Sequence, residues 1–183
     1  MKIKILNKTV MEYFRYYYMQ CDLRDISLSQ VNSPEYHLEK INEHNMKMIE
    51  DGLFSLPWIK NFYRKGFNYV DGYMFLSSAG ELISYCLLVF KGGEERICRV
   101  RNVDAYIAAV YTSPSFRGKG FFMKLFQEVF IKLQLERGIQ TIGLLVRPDN
   151  ESALRAYKKI GFTVVDEKRF IRLLRFNIPF IEL

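Results

Sequence analysis

Thr112-Ser-Pro-Ser-Phe-Arg-Gly-Lys-Gly-Phe-Phe122 is the stretch on which the reading of this chain turns. It follows Asp104 to Thr112, a strand-like run. It precedes a helical pattern from about Gly120 to Glu136, with Phe122, Leu125, Phe126, Val129 and Leu133 on one face. A turn holding Arg117, Gly118, Lys119 and Gly120 therefore opens a helix directly after a strand. The first N–H groups of a helix have no intrahelical acceptor and carry the positive end of its dipole. Two cations stand beside them. Such a spot is an anion site, and its natural guest is a phosphate, which the glycines allow to approach closely.

Gly138 closes that helix, and Thr141 to Val146 is nearly all apolar, as a strand buried on both faces should be. A strand–helix–strand unit of this length implies parallel pairing. Asn150 follows, with Glu151 to Ile160 as a shorter helix stopped by Gly161. Asn150 suits the helix cap, with Asp149 as the alternative. Tyr157 lies seven residues further on, two turns along the same face. An amide and a phenol can thus reach one cleft. Strands are expected near Phe162 to Asp166 and Ile171 to Asn177.

Upstream, Lys2 to Leu6 reads as a strand and Thr9 to Met19 as a helix, with Tyr13, Phe14 and Tyr16 to Tyr18 forming a broad aromatic face. Ser33-Pro34 reads as a helix start and Gly52 as its stop, which would put His37 and His44 on one helix. A third helical piece is expected from Pro57 to Lys65. Gly72 to Ser77 and Leu82 to Phe90 read as strands joined by the hairpin signal Ser78 to Glu81. The architecture is α/β with a mixed sheet.

The 183 residues suit one domain, and with 49% apolar and 26% charged residues the composition is that of an ordinary globular chain. The N-terminus is too short and polar for a signal peptide, and no apolar run reaches the ~20 residues of a membrane span, so a cytoplasmic location is expected. Three unevenly spaced cysteines (Cys21, Cys86, Cys98) read as reduced thiols, two of them packed in strands. Two histidines without ligand spacing argue against a metal site. The net charge of +7 favours acidic partners: nucleic acid, an anionic membrane or a polyphosphate ligand. Its scatter along the chain weakens the first two.

Residues 104–165 resemble the GCN5-related N-acetyltransferase (GNAT) superfamily. The family's central motif, Arg/Gln-x-x-Gly-x-Gly/Ala, is matched by Arg117, Gly118, Lys119, Gly120, Phe121 and Phe122. Its later motif, Asn-x-x-Ala-x-x-x-Tyr-x-x-x-Gly-Phe, is matched by Asn150, Ala153, Tyr157, Gly161 and Phe162. Phe122 departs, standing where the family usually has Gly or Ala. In the first helical turn its amide can still face a phosphate while its side chain turns into the core. The resemblance implies an acyl-CoA N-acyltransferase fold: a mostly antiparallel sheet with a central parallel pair, flanked by helices. It implies a single domain over 1–183, with 1–103 forming the acceptor side, 104–165 the acetyl-CoA core and 166–183 a final strand region.

The same resemblance implies acetyl transfer from acetyl-CoA to a primary amine of a small molecule or protein. The amides of Gly118 to Phe122 would hold the pyrophosphate, with Arg117 beside them. The backbone of Val110, Tyr111 and Thr112 would pair with the pantetheine arm, where the parallel strands splay. Asn150 would contact that arm or the acetyl region. Tyr157 would protonate the departing thiolate. Some relatives carry a carboxylate base where this chain has Val110 and Leu145. Glu81, Asp104, Tyr73, Tyr106 and Tyr111 are left as candidate bases, together with a water chain. Two rivals stand beside the enzyme: a coenzyme A-binding regulatory module and a basic nucleic-acid-binding protein. Apolar C-terminal strands could pair across a homodimer.

Overall fold

The computed structural model describes residues 2–5, 8–28, 33–50, 69–92, 102–173 and 178–182. Its centre is a nine-stranded sheet: β1 (Lys2–Ile5), β2 (Lys8–Asp22), β3 (Tyr36–Lys40), β4 (Val70–Ser77), β5 (Leu82–Phe90), β6 (Ala105–Thr112), β7 (Thr141–Val146), β8 (Thr163–Leu173) and β9 (Ile178–Glu182). The order is β3-β4-β5-β6-β7-β2-β8-β9, with β1 added against β2. Every pairing is antiparallel except β6 with β7. Between those two runs α1 (Phe121–Arg137), and α2 (Glu151–Ile160) follows β7.

The sheet separates two cores. On the helix side, Leu125, Phe126, Val129, Phe130 and Leu133 of α1 pack with Cys86, Leu88, Ile107, Ile142, Leu144, Tyr157 and Phe162. At ~1.5–3 kcal/mol for each large apolar side chain fully buried, this stripe alone fixes α1 on the sheet. The opposite face packs Ile41, Met46, Ile49, Met74, Tyr85, Leu87, Tyr106 and Ala109. The strands β4 and β5 are buried on both faces, which explains their continuous apolar runs.

Three expectations need correction. The segment Thr9 to Met19 lies within strand β2, not a helix. Lying between β7 and β8, β2 sends Tyr17 into one core and Tyr18 towards the other, so aromatics are needed on consecutive residues. A doubly covered strand and a wide helical face look alike in such a run. The helix expected after Ser33-Pro34 is strand β3, a turn and a short 3-10 segment, Met46–Ile49. Asn42 Oδ1 accepts from the His44 N–H at 2.8 Å, and Asn45 Oδ1 from the Asn42 N–H at 2.8 Å, so asparagine side chains take amides a helix would need. His37 and His44 thus stand on a strand and a turn. The two strands expected between Phe162 and Asn177 are one, β8, whose middle pairs Glu167 to Phe170 with β2.

Lys2–Ile5, both hairpin strands, α1, β7 and α2 lie where the sequence puts them, to within about two residues. The expected helix over Pro57 to Lys65, its neighbour Gly52, and Cys98 fall outside the described residues. Cys21 and Cys86 are buried, unpaired thiols in β2 and β5. No helix among the described residues is long and apolar enough to cross a membrane, and no His/Cys/Asp/Glu group among them has metal-ligand geometry.

Candidate active site

The register of β6 creates a cleft. Ala105, Tyr106 and Ile107 pair with Ile142, Gly143 and Leu144, and there the parallel pairing ends. Opposite β5, Leu87 faces Ala109 while Leu88 faces Ile107, so Ala108 is an extra residue, a β-bulge at the point of divergence. Beyond it Val110 to Thr112 stay with β5, whereas Leu145 and Val146 stay with β2. A bulge bends its strand and adds local twist, which suits two strands parting company.

The far end of β6 is pinned by hydroxyls. Ser84 Oγ donates to the Tyr111 carbonyl at 2.6 Å and lies 3.0 Å from Thr112 Oγ1. Ser113 binds β5 twice, through its N–H to the Ile83 carbonyl (2.9 Å) and its Oγ to the Leu82 carbonyl (2.6 Å). Tyr111 and Ser113 thus turn their backbone groups to β5. By the two-residue period of a strand, those of Val110 and Thr112 point into the gap. Ser84 was not singled out from the sequence, although a lone hydroxyl in the apolar run Leu82 to Phe90 is the available signal, since a buried hydroxyl needs a partner.

The Arg117–Gly120 turn stands at this open end. Gly118 and Gly120 have φ of +74° and +78°, a region that excludes most side chains, and a Cβ on either would meet nothing within 4 Å. Gly120 is the helix cap without a side-chain capping bond, and no acidic residue occupies the first turn. The start of α1 therefore has neither a side-chain cap nor an acidic first-turn residue to offset its dipole. Arg117 has a task of its own: Nε donates to the Thr112 carbonyl at 3.0 Å and its guanidinium lies 5.8 Å from the Tyr111 ring centroid. Lys119 and Lys124 lie over Phe116 and Phe121.

Phe122 turns inward as expected. Its ring meets Phe126 edge-on at 4.8 Å and Tyr157 at 5.4 Å. Phe162 packs on the other side of Tyr157 at 5.6 Å. The residue that departs from the family motif is therefore a wall of the tyrosine's pocket. Tyr157 is 9% exposed, and burial, reinforced by nearby Cys86, pushes its phenol well above the ordinary tyrosine range. Burial likewise pushes the Cys86 thiol up to about 12 and Cys21 to about 11, so neither is a nucleophile near neutral pH.

Asn150 caps α2: its Oδ1 accepts from the Ala153 N–H at 3.3 Å and the Ser152 hydroxyl at 3.1 Å. Its NH2 group has no acceptor among the described residues. Asp149 is instead paired with Arg147, Nε to Oδ1 at 3.0 Å.

The candidate bases divide by position. Asp104 lies at the closed end of β6, where it accepts from the N–H groups of Gln140 (3.0 Å) and Thr141 (2.9 Å) and from the Thr141 hydroxyl (3.0 Å). Tyr106 is buried at that end. The Tyr73 hydroxyl is directed to Asp71 (3.5 Å), whose carboxylate meets Lys40 (2.7 Å) and Arg137 at the C-terminus of α1. Glu81, exposed in the β4–β5 hairpin, and Tyr111 are the two at the open end.

Residues 94–171 match the family model described as FR47-like protein. Three solved structures share the fold. A Drosophila protein aligns with a TM-score of 0.65 at 13% identity, over 93% of this chain and 54% of its own. A Novosphingobium aromaticivorans protein described as an acetyltransferase of the GNAT family gives 0.62 at 21%, over 87% and 64%. AAC(6')-Iy, in complex with a bisubstrate analog of coenzyme A and acetylneamine, gives 0.58 at 13%, over 72% and 92%. The chain thus spans less than two thirds of the first two. No curated protein sequence matches it. The FR47-like match over residues 94–171 and the fold shared with these structures agree with the resemblance of the paired motifs to the GCN5-related N-acetyltransferase superfamily.

Proposed function

We propose that this protein is an acetyl-CoA-dependent N-acetyltransferase that acts on a primary amine. The observation that carries this reading is the parting of β6 from β7 beyond Ile107 and Leu144, directly below a glycine turn whose Cβ positions are open. A slot between strands with outward backbone groups fits an extended amide-bearing arm, and the start of α1 fits a diphosphate. Acetyl-CoA would supply a thioester carbonyl, which the amine attacks directly without a covalent enzyme intermediate. The amides of Gly118 to Phe122 hold the pyrophosphate. Val110 and Thr112 pair with the arm, and a backbone N–H of this strand end polarises the carbonyl. Arg117 shapes the wall by holding the Thr112 carbonyl. Asn150 keeps its capping bond while its NH2 turns to the ligand.

Tyr157 is the general acid of this scheme. Its elevated pKa keeps the proton in place throughout the usual assay range. Delivery to sulfur is then reasonable because a thiolate expelled into the same apolar pocket is itself made more basic by desolvation. An alkylammonium of pKa ~10.4 is neutral only about once in a few thousand molecules at pH 7, so the acceptor must lose a proton, and Glu81 and Tyr111 are the side chains at the open end able to take it. The bisubstrate analog held by AAC(6')-Iy, coenzyme A joined to acetylneamine, illustrates one amine class.

Val110 and Leu145, apolar where a carboxylate base would help, favour the second reading of a coenzyme A-binding regulatory module. Calorimetry with acetyl-CoA, followed by a thiol-release assay over an amine panel, tests both. Binding with amine-dependent thiol release is expected. Binding without release favours the module, and no binding removes both.

A further inference from the structure

We propose that Phe122 is a positioning residue for proton delivery: its ring completes an aromatic collar that aims the Tyr157 phenol, and so ties the start of α1 to the acid. The inference rests on the reading of Tyr157 as general acid and adds a residue that acts through it.

Three rings meet Tyr157 edge-on: Phe122 at 5.4 Å, Phe162 at 5.6 Å and Phe126 at 6.3 Å. Phe126 and Phe162 belong to the sealed core, neither more than 1% exposed, and Phe130 meets both, at 5.1 and 6.3 Å. The packing of α1 on the sheet sets their place whatever the site does. Phe122 differs. It is only partly buried, and it is the second residue of α1, two positions after the Gly120 cap. Its ring is seated on Phe126 at 4.8 Å and reaches the tyrosine from the side of the glycine turn. Of the three centroids it is the nearest to Tyr157.

A glycine or alanine here, the residue usual in the motif, has no ring to offer, and Tyr157 would then be held by two rings instead of three. An edge-on ring contact is worth about as much free energy as turning a side chain ~30° off its rotamer. Each such contact therefore counts in how closely the phenol is aimed. Burial is also the chief cause of the raised Tyr157 phenol, and Phe122 supplies part of that burial. In the step served, the C–S bond breaks with its electron pair passing to sulfur. The phenol proton forms the S–H bond, and the phenolate regains a proton from water between turnovers. Misplacing a reacting group by ~1 Å can cost ~10²-fold, so a loosened ring should register in turnover before it registers in donor binding.

Phe122→Leu keeps an apolar side chain and the backbone amide but removes the ring. Thiol release at saturating acetyl-CoA, with a mixed panel of primary amines, should fall about five- to tenfold per folded molecule, while KM for acetyl-CoA stays within about twofold. In the Tyr157→Phe background the same substitution should change the rate by less than about twofold, because the proton it helps to deliver is gone. Phe130→Leu is the control, since its ring meets Phe126 and Phe162 but not Tyr157. It should lower the melting temperature at least as much and leave turnover per folded molecule within about twofold. An unchanged rate in Phe122→Leu, an equal fall in both backgrounds, or a like fall in Phe130→Leu overturns the inference and leaves the transfer reading standing. A wild type that releases no thiol from acetyl-CoA removes the transfer reading, and the acid and its collar with it.

Discussion

At the Asp104 end of the β6–β7 pair, one carboxylate closes three hydrogen bonds across two strands and their loop. At the Thr112 end the same strands part, and each finds its partner elsewhere. The first end spends its polar groups on holding the chain together. The second holds its own strand by Ser84 and Ser113 and leaves outward-facing backbone groups, a bare helix start and a buried phenol. The proposed site is thus the region where pairing stops, supported by a region where pairing is over-determined. The contrast yields predictions that would break it if the two ends proved interchangeable.

The largest expected effect is at the open end. Tyr157→Phe should lower kcat by ~10²–10⁴-fold while acetyl-CoA affinity and melting temperature change little, as deletion of a general acid requires. The ring contacts with Phe122 and Phe162 persist in the variant, so the fold is kept. Because the phenol pKa is raised, its protonated form persists as pH increases. The wild type should therefore show no loss of kcat from this group up to about pH 10. An unchanged rate in the variant would sink the acid role.

Two glycines give a sharper test. Gly80, in the β4–β5 hairpin, and Gly120, in the turn, have φ of +79° and +78°, and a Cβ on either meets nothing within 4 Å. Gly→Ala at each should therefore cost a similar ~1–2 kcal/mol in stability. Only Gly120→Ala should also weaken acetyl-CoA, by about tenfold or more, because its new methyl occupies space meant for the ligand. Equal acetyl-CoA affinity in the two variants would mean that the turn is merely a connection.

The closed end should fail differently. Asp104→Ala should destabilise the fold by ~2–3 kcal/mol through bonds to an ionised acceptor, with kcat per folded molecule nearly unchanged. Burial alone would raise this carboxyl. The N–H groups of Gln140 and Thr141, the Thr141 hydroxyl and Lys91 together hold it below the ordinary aspartate value. A depressed folded pKa contributes stability above the unfolded value near 3.9 and loses it as pH falls through the folded one. The gap between wild type and Asp104→Ala in chemical denaturation should therefore be constant from pH 7 to about 5 and shrink below 4.

How much of this could be read beforehand follows the same division. The turn, α1, β7 and α2 were legible because their signals are local: glycines at positive φ, a helical stripe, a cap, a doubly buried run. Strand β2 was not. Its aromatics answer to β7 and β8, partners about 130 and 150 residues away in sequence, and nothing within Thr9 to Met19 says that both faces will be covered. Strand β3 was lost because Ser33-Pro34 resembles a helix start, while Asn42 and Asn45 divert the amides a few residues later. The bulge at Ala108 and the contact of Phe122 with Tyr157 are relations between elements and leave no mark in either segment alone.

The smallest effect is the most discriminating, because Asn150 belongs to both kinds of region. Its Oδ1 closes the start of α2, while its NH2 is available to a ligand. Asn150→Asp keeps the capping oxygen and puts a carboxylate at the positive end of the helix, so stability should hold or rise slightly. Asn150→Ala removes the cap and should cost ~1 kcal/mol. If Asn150 only caps, kcat/KM should be normal in the Asp variant and fall in the Ala variant no further than its lost stability explains. If the NH2 also donates to the pantetheine arm, both variants should lose a similar few-fold to tenfold, since neither has that donor. Stability and turnover then separate in the Asp variant, which is where melting curves and kcat/KM should be compared.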